Sequence, residues 1–248
     1  MEFSGMILTI LLYVEAYFII GIIAMYAGSK KASKDVKRNR WIKLAVYFFI
    51  VHSTLVIILT KGPYFIILTS LVLLFGLLEV MHTFYRYSVK ETQKKQIKRI
   101  LTTYTMVTIA MIFFSLETSA QIVLYVYLIV GVFDGFSQLT GQLFGKHALA
   151  KNISPNKTIE GSIGGLIIAL LSGLLLRSFP EFSTGEALSF TFVICIGSLF
   201  GDLMASYVKR LYQIKDFNKI IPGHGGFLDR FDSFIGAGAL YQVILWLL

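Results

Sequence analysis

Apolar runs of about 20 residues recur along almost the whole chain, and they constrain this sequence more than any other feature. A soluble domain buries a single core and cannot hide so many of them. Each run has the length of a helix that crosses a hydrocarbon layer with every backbone N–H and C=O paired inside the segment. Spans are expected at roughly 6–27, 42–60, 63–83, 100–116, 119–140, 161–178, 188–208 and 231–248. Composition agrees, being 56% hydrophobic and only 15% charged, where soluble domains carry about 25% charged residues. The expected fold is an all-α integral membrane protein, a bundle of about eight transmembrane helices with a polar active-site cleft facing the cytoplasm.

The net charge of +9 reflects where the helices end and not a basic soluble face, so nucleic acid is not an expected partner. All but two of the 23 Lys and Arg residues fall in segments 29–43, 86–99, 145–160 and 207–230. An even number of spans places these four segments on one side. Only Lys61 and Arg177 fall near the other, which also receives Glu117, Glu181 and Glu186. The positive-inside rule makes the basic side cytoplasmic and leaves both termini outside. The chain opens Met1-Glu2 without a basic leader region or targeting extension, so a bacterial inner membrane is the expected location. The single cysteine, Cys195, lies in an apolar run and excludes an intramolecular disulfide.

Small residues at four-residue spacing, Gly197, Gly201 and Ala205 in one run and Gly161 and Gly165 in another, mark helix faces that pack closely. Acids within apolar helices each require a reason. Glu15 and Glu79 read equally well as functional acids or as buried polar contacts. Asp134 and Asp202 differ, because each lies near the cytoplasmic end of its helix and leads into a polar, glycine-containing segment. Asp202, Ser206 and Lys209 share one helix face.

The densest polar constellation follows: Ser206, Lys209, Arg210, Lys215, Asp216, then Pro222-Gly223-His224-Gly225-Gly226, then Asp229, Arg230 and Asp232. Glycines let a backbone approach a ligand and present N–H groups to phosphate oxygens. Lys and Arg neutralise phosphates, and Asp holds a divalent cation that bridges them. His224, set between glycines, is expected to contact a ligand.

This stretch resembles the signature of the CDP-diacylglycerol synthase (phosphatidate cytidylyltransferase) family: Ser-x-x-Lys-Arg, four residues, Lys-Asp, then Pro-Gly-His-Gly-Gly-x-x-Asp-Arg-x-Asp. Every fixed position is matched from Ser206 to Asp232. A second block is similar as well: Asp134, Phe144-Gly145-Lys146, the run from Ser154 through Lys157, Thr158 and Glu160 to Gly165, and Gly201-Asp202. The resemblance covers 131–248, which divides the chain into N-terminal helices over 1–118 and a catalytic region over 119–248. Ser137, Gln138, Gln142, Phe217 and Asn218 depart from the family pattern and bear on the choice of lipid.

The resemblance implies a reaction in which the phosphate of phosphatidate attacks the α-phosphorus of CTP, giving CDP-diacylglycerol and pyrophosphate. It assigns Asp202 and Asp229 to Mg2+, alone or with a second cation. Lys209, Arg210, Lys215, Asp216, His224, Arg230 and Asp232 would act catalytically. Asp134, Ser154, Lys157, Thr158, Ser206, Gly223, Gly225 and Gly226 would bind substrate. Membrane lipids and a second copy in a homodimer are the implied partners. The rival readings are a cytidylyltransferase for another lipid phosphate, a polyprenol or phytol kinase, and a noncatalytic membrane protein or transporter. Against a transporter, the acids and cations gather at one face and not along a path.

Overall fold

A computed structural model of the chain describes residues 3–28, 33–60, 63–87, 91–218, 220–221 and 225–248. Among them, eight helices run in order: α1 (Phe3–Gly28), α2 (Lys34–Leu59), α3 (Tyr64–Arg86), α4 (Glu91–Glu117), α5 (Ala120–Phe144), α6 (Ile159–Leu176), α7 (Thr184–Leu211) and α8 (Leu228–Leu247). Six of them, α2 to α7, hold a stretch long and apolar enough to cross a membrane. The apolar part described in α1, Ile7–Ile23, is shorter. The first turns of α8 carry Asp229, Arg230 and Asp232.

The helices α2 and α4 begin well before the apolar cores expected at 42 and 100. Their extensions, from Lys34 and from Glu91, are rich in Lys, Arg, Glu and Gln, which are good helix formers. Hydrophobic length measures what can sit in lipid and not where a helix stops. Polar caps close several entries: the Ile122 N–H donates to Ser119 Oγ at 3.4 Å, and Ser183 and Glu186 form a reciprocal capping box at the start of α7.

One feature departs from the all-α expectation. The segment between α5 and α6 holds an antiparallel hairpin of β1 (Ala148–Ala150) and β2 (Ser154–Thr158), pairing Ala148 with Thr158 and Ala150 with Ser154. So short a hairpin is marginal alone, and the flanking helices clamp it. The Lys146 and His147 N–H groups donate to Glu160 Oε2 at 3.0 and 3.2 Å, and Ile159 N–H donates to the His147 carbonyl at 2.9 Å.

Both groups of small residues lie at close helix crossings. Gly161 and Gly165 of α6 press on α5 at Phe133 and Ser137, and Gly197 and Gly201 of α7 press on α8 at Asp232, Gly236 and Ala237. From α3 to α8 the helices alternate in direction. Glu79 near the end of α3 meets the start of α8, Lys209 at the end of α7 meets Asp229 at the start of α8, and Gln242 near the end of α8 meets Glu117 at the end of α4. Phe114, Tyr127, Phe234 and Tyr241 pack edge-on between α4, α5 and α8. Phe49, Ile167, Leu175 and Phe200 are exposed, as lipid-facing residues of a membrane bundle should be.

Candidate active site

The site is set by the register of α7 on α8. Gly197 lies against Gly236 and Ala237, and Gly201 lies one turn on against the Asp232 carbonyl. In this antiparallel crossing Asp202 shares a level with Asp232, while Asp229 sits one turn farther out, level with Ser206 and Lys209. The third acid, Asp134 of α5, accepts from Ser198 Oγ of α7 at 3.0 Å, with the Ser233 side chain close by. Asp134, Asp202 and Asp232 thus lie within electrostatic reach of one another, each from a different helix.

Two lysines enter this cluster by different routes. The β-hairpin carries Lys157 inward, where Nζ pairs with Asp202 Oδ2 at 2.5 Å and also acts on Asp134. These side chains are 23% and 27% exposed, so the pair stays open to an incoming ligand. Arg210 holds the hairpin turn in place, donating through Nε to the Ile153 carbonyl at 3.2 Å and through Nη1 to the Ile214 carbonyl at 2.8 Å. Ser206 Oγ donates to Asp202 Oδ1 at 3.2 Å. Lys209, one turn on, pairs with Asp229 Oδ1 at 2.6 Å and lies within electrostatic reach of Asp232.

Asp229, expected at a cation, is held closely by the protein itself. Its side chain is 1% exposed, and beyond Lys209 its Oδ2 accepts the N–H groups of Phe217 at 3.0 Å and Gly226 at 2.9 Å. Three of about four acceptor positions are therefore filled by the protein. The glycine crossing places Asp232, and not Asp229, on the turn of α8 that lies against Gly201, next to Asp202. Asp229 ties the segment after α7 to the start of α8.

Other assignments shift for local reasons. Gly226, expected to offer its N–H to phosphate, donates to Asp229, and its Cα approaches the Glu79 carboxylate too closely for a side chain. Gly225 has φ +83°, which only glycine adopts readily, and it lies against Asp216 and Asp229. Thr158 caps α6, its Oγ1 accepting from Gly161 N–H at 3.0 Å, and packs against Gly141 of α5 and Gly145 at the end of that helix. Ser154 opens β2 opposite Ala150. Lys215, Asp216 and Arg230 are exposed near the site. Gly223 and His224 lie outside the described residues, as do Lys219 and Pro222.

Sequence reasoning missed Ser198, which donates to Asp134, and Ser233 beside it, and it left Glu79 undecided. Ser198 had a signal, being one turn before Asp202 on the same face of an apolar helix. It also missed that Phe217 places its ring 5.5 Å from the Lys209 ammonium, a cation–π contact that holds the lysine toward Asp229.

The donor set fits a hard divalent cation. Carboxylates at Asp202 and Asp232, with Asp134 and the Ser198, Ser206 and Ser233 hydroxyls nearby, are all oxygen donors. Among the described residues no three acidic, histidine or cysteine side chains gather closely enough to hold a metal ion by themselves. Mg2+ is usually bound by one or two carboxylates together with substrate phosphates and does not require such a group.

Comparison with known proteins bears on this arrangement. The cytidylyltransferase family model matches residues 3–248. A phosphatidate cytidylyltransferase of Staphylococcus haemolyticus is 43% identical over 125 residues, which are 50% of this chain and 48% of that protein. That of Staphylococcus aureus is also 43% identical, and that of Staphylococcus saprophyticus 41% identical, over the same shares. The matched stretch thus spans about half the length of these curated relatives.

Proposed function

This chain belongs to the cytidylyltransferase family, and on that premise we propose that it transfers the cytidylyl group of CTP to phosphatidate, forming CDP-diacylglycerol and pyrophosphate. One observation carries the reading: Asp134, Asp202 and Asp232 from three helices converge with Lys157 and Lys209 interleaved among them. Alternating acids and cations of this kind suit the joining of two polyanions, since each charge on the ligands finds an opposite one.

A phosphate monoester is already largely dianionic near neutral pH, so its oxygen can attack the α-phosphorus without a strong general base. The new phosphorus–oxygen bond forms as the bond to the β-phosphate breaks, and pyrophosphate departs with the electron pair. The obstacle is repulsion between the two anions, so the residues act by positioning and by neutralising charge. Lys157 exchanges Asp202 for a phosphate oxygen, a short movement for a partly exposed side chain. Lys209, held by Asp229 and Phe217, presents fixed positive charge toward Asp232. Lys215 and Arg230, both exposed, are available to the lipid phosphate and to pyrophosphate. Mg2+ bound at Asp202 and Asp232 would supply charge neutralisation to the phosphate oxygens.

Position-specific label separates this reaction from its rivals. With purified protein, Mg2+ and phosphatidate, label at the α-phosphorus of CTP is expected in the lipid and label at the γ-phosphorus in pyrophosphate. A lipid that acquires the γ-label identifies a kinase instead. Absence of any lipid product across a panel of lipid phosphates leaves a noncatalytic membrane protein.

Within the same reading, the chain spans a bacterial membrane eight times with the site on the cytoplasmic side and both ends outside. The asymmetry of Lys and Arg supports this orientation, and the family resemblance supports a homodimer. Cysteines placed at Lys37, Lys95 and Asn156 in a Cys195→Ser background should be shielded from a membrane-impermeant thiol reagent in intact cells, while one at Thr184 should react. Labelling at any of the first three positions rejects the orientation.

A further inference from the structure

The N-terminal helices carry none of the family signature, yet one of their side chains reaches into the site. Glu79 of α3 is 5% exposed, and its carboxylate grips two consecutive backbone amides at the start of α8. Oε1 accepts from Phe227 N–H and Oε2 from Leu228 N–H, both at 3.0 Å. The first N–H groups of any helix lack partners within it, and Phe227 at the cap position offers no side-chain hydrogen bond of its own. Helix α8 is therefore capped from another helix, at a separation of 148 residues. A carboxylate there also opposes the positive end of the helix dipole.

Neighbouring contacts make this a joint and not a single bond. Phe75 stacks on Phe227 with ring centres 5.0 Å apart and planes 18° from parallel. Gly76 leaves no room for a side chain between Tyr104 and Leu228. The Tyr104 hydroxyl donates to the Leu73 carbonyl at 2.6 Å, holding α4 against the same stretch of α3. Gly226 is pressed against the Glu79 carboxylate, which accounts for glycine at that position. The residues so fixed, 226–228, immediately precede Asp229, which orients Lys209, and Asp232 lies one turn beyond.

We propose that Glu79 is a positioning residue, which fixes the start of α8 and through it places Asp229, Lys209 and Asp232 for cytidylyl transfer. The proposal rests on the functional reading above, but its geometry can be tested without that reading. Glu79 touches no reacting atom, so its loss should act on orientation and leave substrate affinity nearly intact. A misplacement of about 1 Å at a reacting centre lowers rate by up to roughly 100-fold.

The test uses the full chain in detergent, with Glu79→Gln, Glu79→Asp, Gly226→Ala and the double variant Glu79→Asp/Gly226→Ala. Glu79→Gln, which replaces one of the two acceptor oxygens by an amide donor, should lower kcat roughly 10- to 100-fold, with KM for CTP and phosphatidate changed by less than about three-fold. Backbone amide exchange over residues 226–228 should accelerate in the same variant while exchange in the middle of α5 and α7 does not. Gly226→Ala should be impaired by collision with Glu79, and shortening that side chain to Asp should restore turnover above that of Gly226→Ala alone. A Glu79→Gln protein with unchanged kcat, or with unchanged exchange at 226–228, would overturn the proposal. If the unaltered protein makes no CDP-lipid, the functional reading falls, and the exchange rates decide the joint on their own.

Discussion

Asp232→Asn is expected to lower turnover on the order of 1000-fold, a loss typical of removing one preorganised electrostatic contact in an active site, while the protein stays folded and membrane-inserted. Asp232 shares its level with Asp202 because Gly201 seats the Asp232 carbonyl directly against α7. Its carboxylate lies within electrostatic reach of Asp202, Asp134 and Lys209, and Oδ1 accepts the Ser233 N–H at 2.8 Å. An amide keeps that local hydrogen bond and the side-chain volume but removes the charge. Asp202→Asn should behave alike, and on the proposed sharing of one cation the double variant should be little worse than either single. Turnover is measured with purified variants at saturating CTP and phosphatidate, and insertion by extraction and gel filtration. Full activity in Asp232→Asn would remove Asp232 from the cation site.

Lys209→Met is expected to damage both fold and activity, and the double variant Lys209→Met/Asp229→Asn to separate the two. The Lys209 and Asp229 side chains are 10% and 1% exposed, so the single substitution leaves a carboxylate buried without its cation. Breaking a buried pair from one side typically costs about 3–5 kcal/mol. Neutralising Asp229 at the same time removes the stranded charge, and the Asn side-chain oxygen can still accept from Phe217 and Gly226 N–H. Thermal unfolding in detergent should therefore show a large loss for Lys209→Met and recovery of most of it in the double variant. Turnover should stay lost in both, because the positive charge facing Asp232 is gone. Recovery of activity together with stability would make Lys209 purely structural.

Part of this site is legible in the amino-acid sequence. Asp134 and Asp202 stood out because an acid in an apolar helix needs a reason, and the irregular run from Ser206 to Asp232 marked the chemistry. Spacing along a helix placed Asp229 and Asp232 on one face of α8 but could not say which turn meets Asp202. A shift of one turn along α8 exchanges the two acids, and the glycine crossing alone settles it. Lys157 shows the same limit. Its motif was readable, but its arrival at Asp202 depends on a hairpin whose strands are too short to announce themselves and which is held by Glu160 and Arg210.

The amino-acid sequence by itself determined the membrane class, the helices to within a turn or two at most ends, the faces that pack closely and the family. Each of these depends on local quantities: apolar length, small-residue spacing, charge at helix ends and an irregular motif in one stretch of chain. Tertiary structure alone decided which acids meet, that Asp229 is buried and tied to Lys209, Phe217 and Gly226, and that Glu79 of the unassigned N-terminal helices caps α8. These depend on the register between helices far apart in sequence, set by the close backbone contact at Gly201 and by the seat of the Glu79 carboxylate on Gly226, and no pattern within one helix encodes its offset against another.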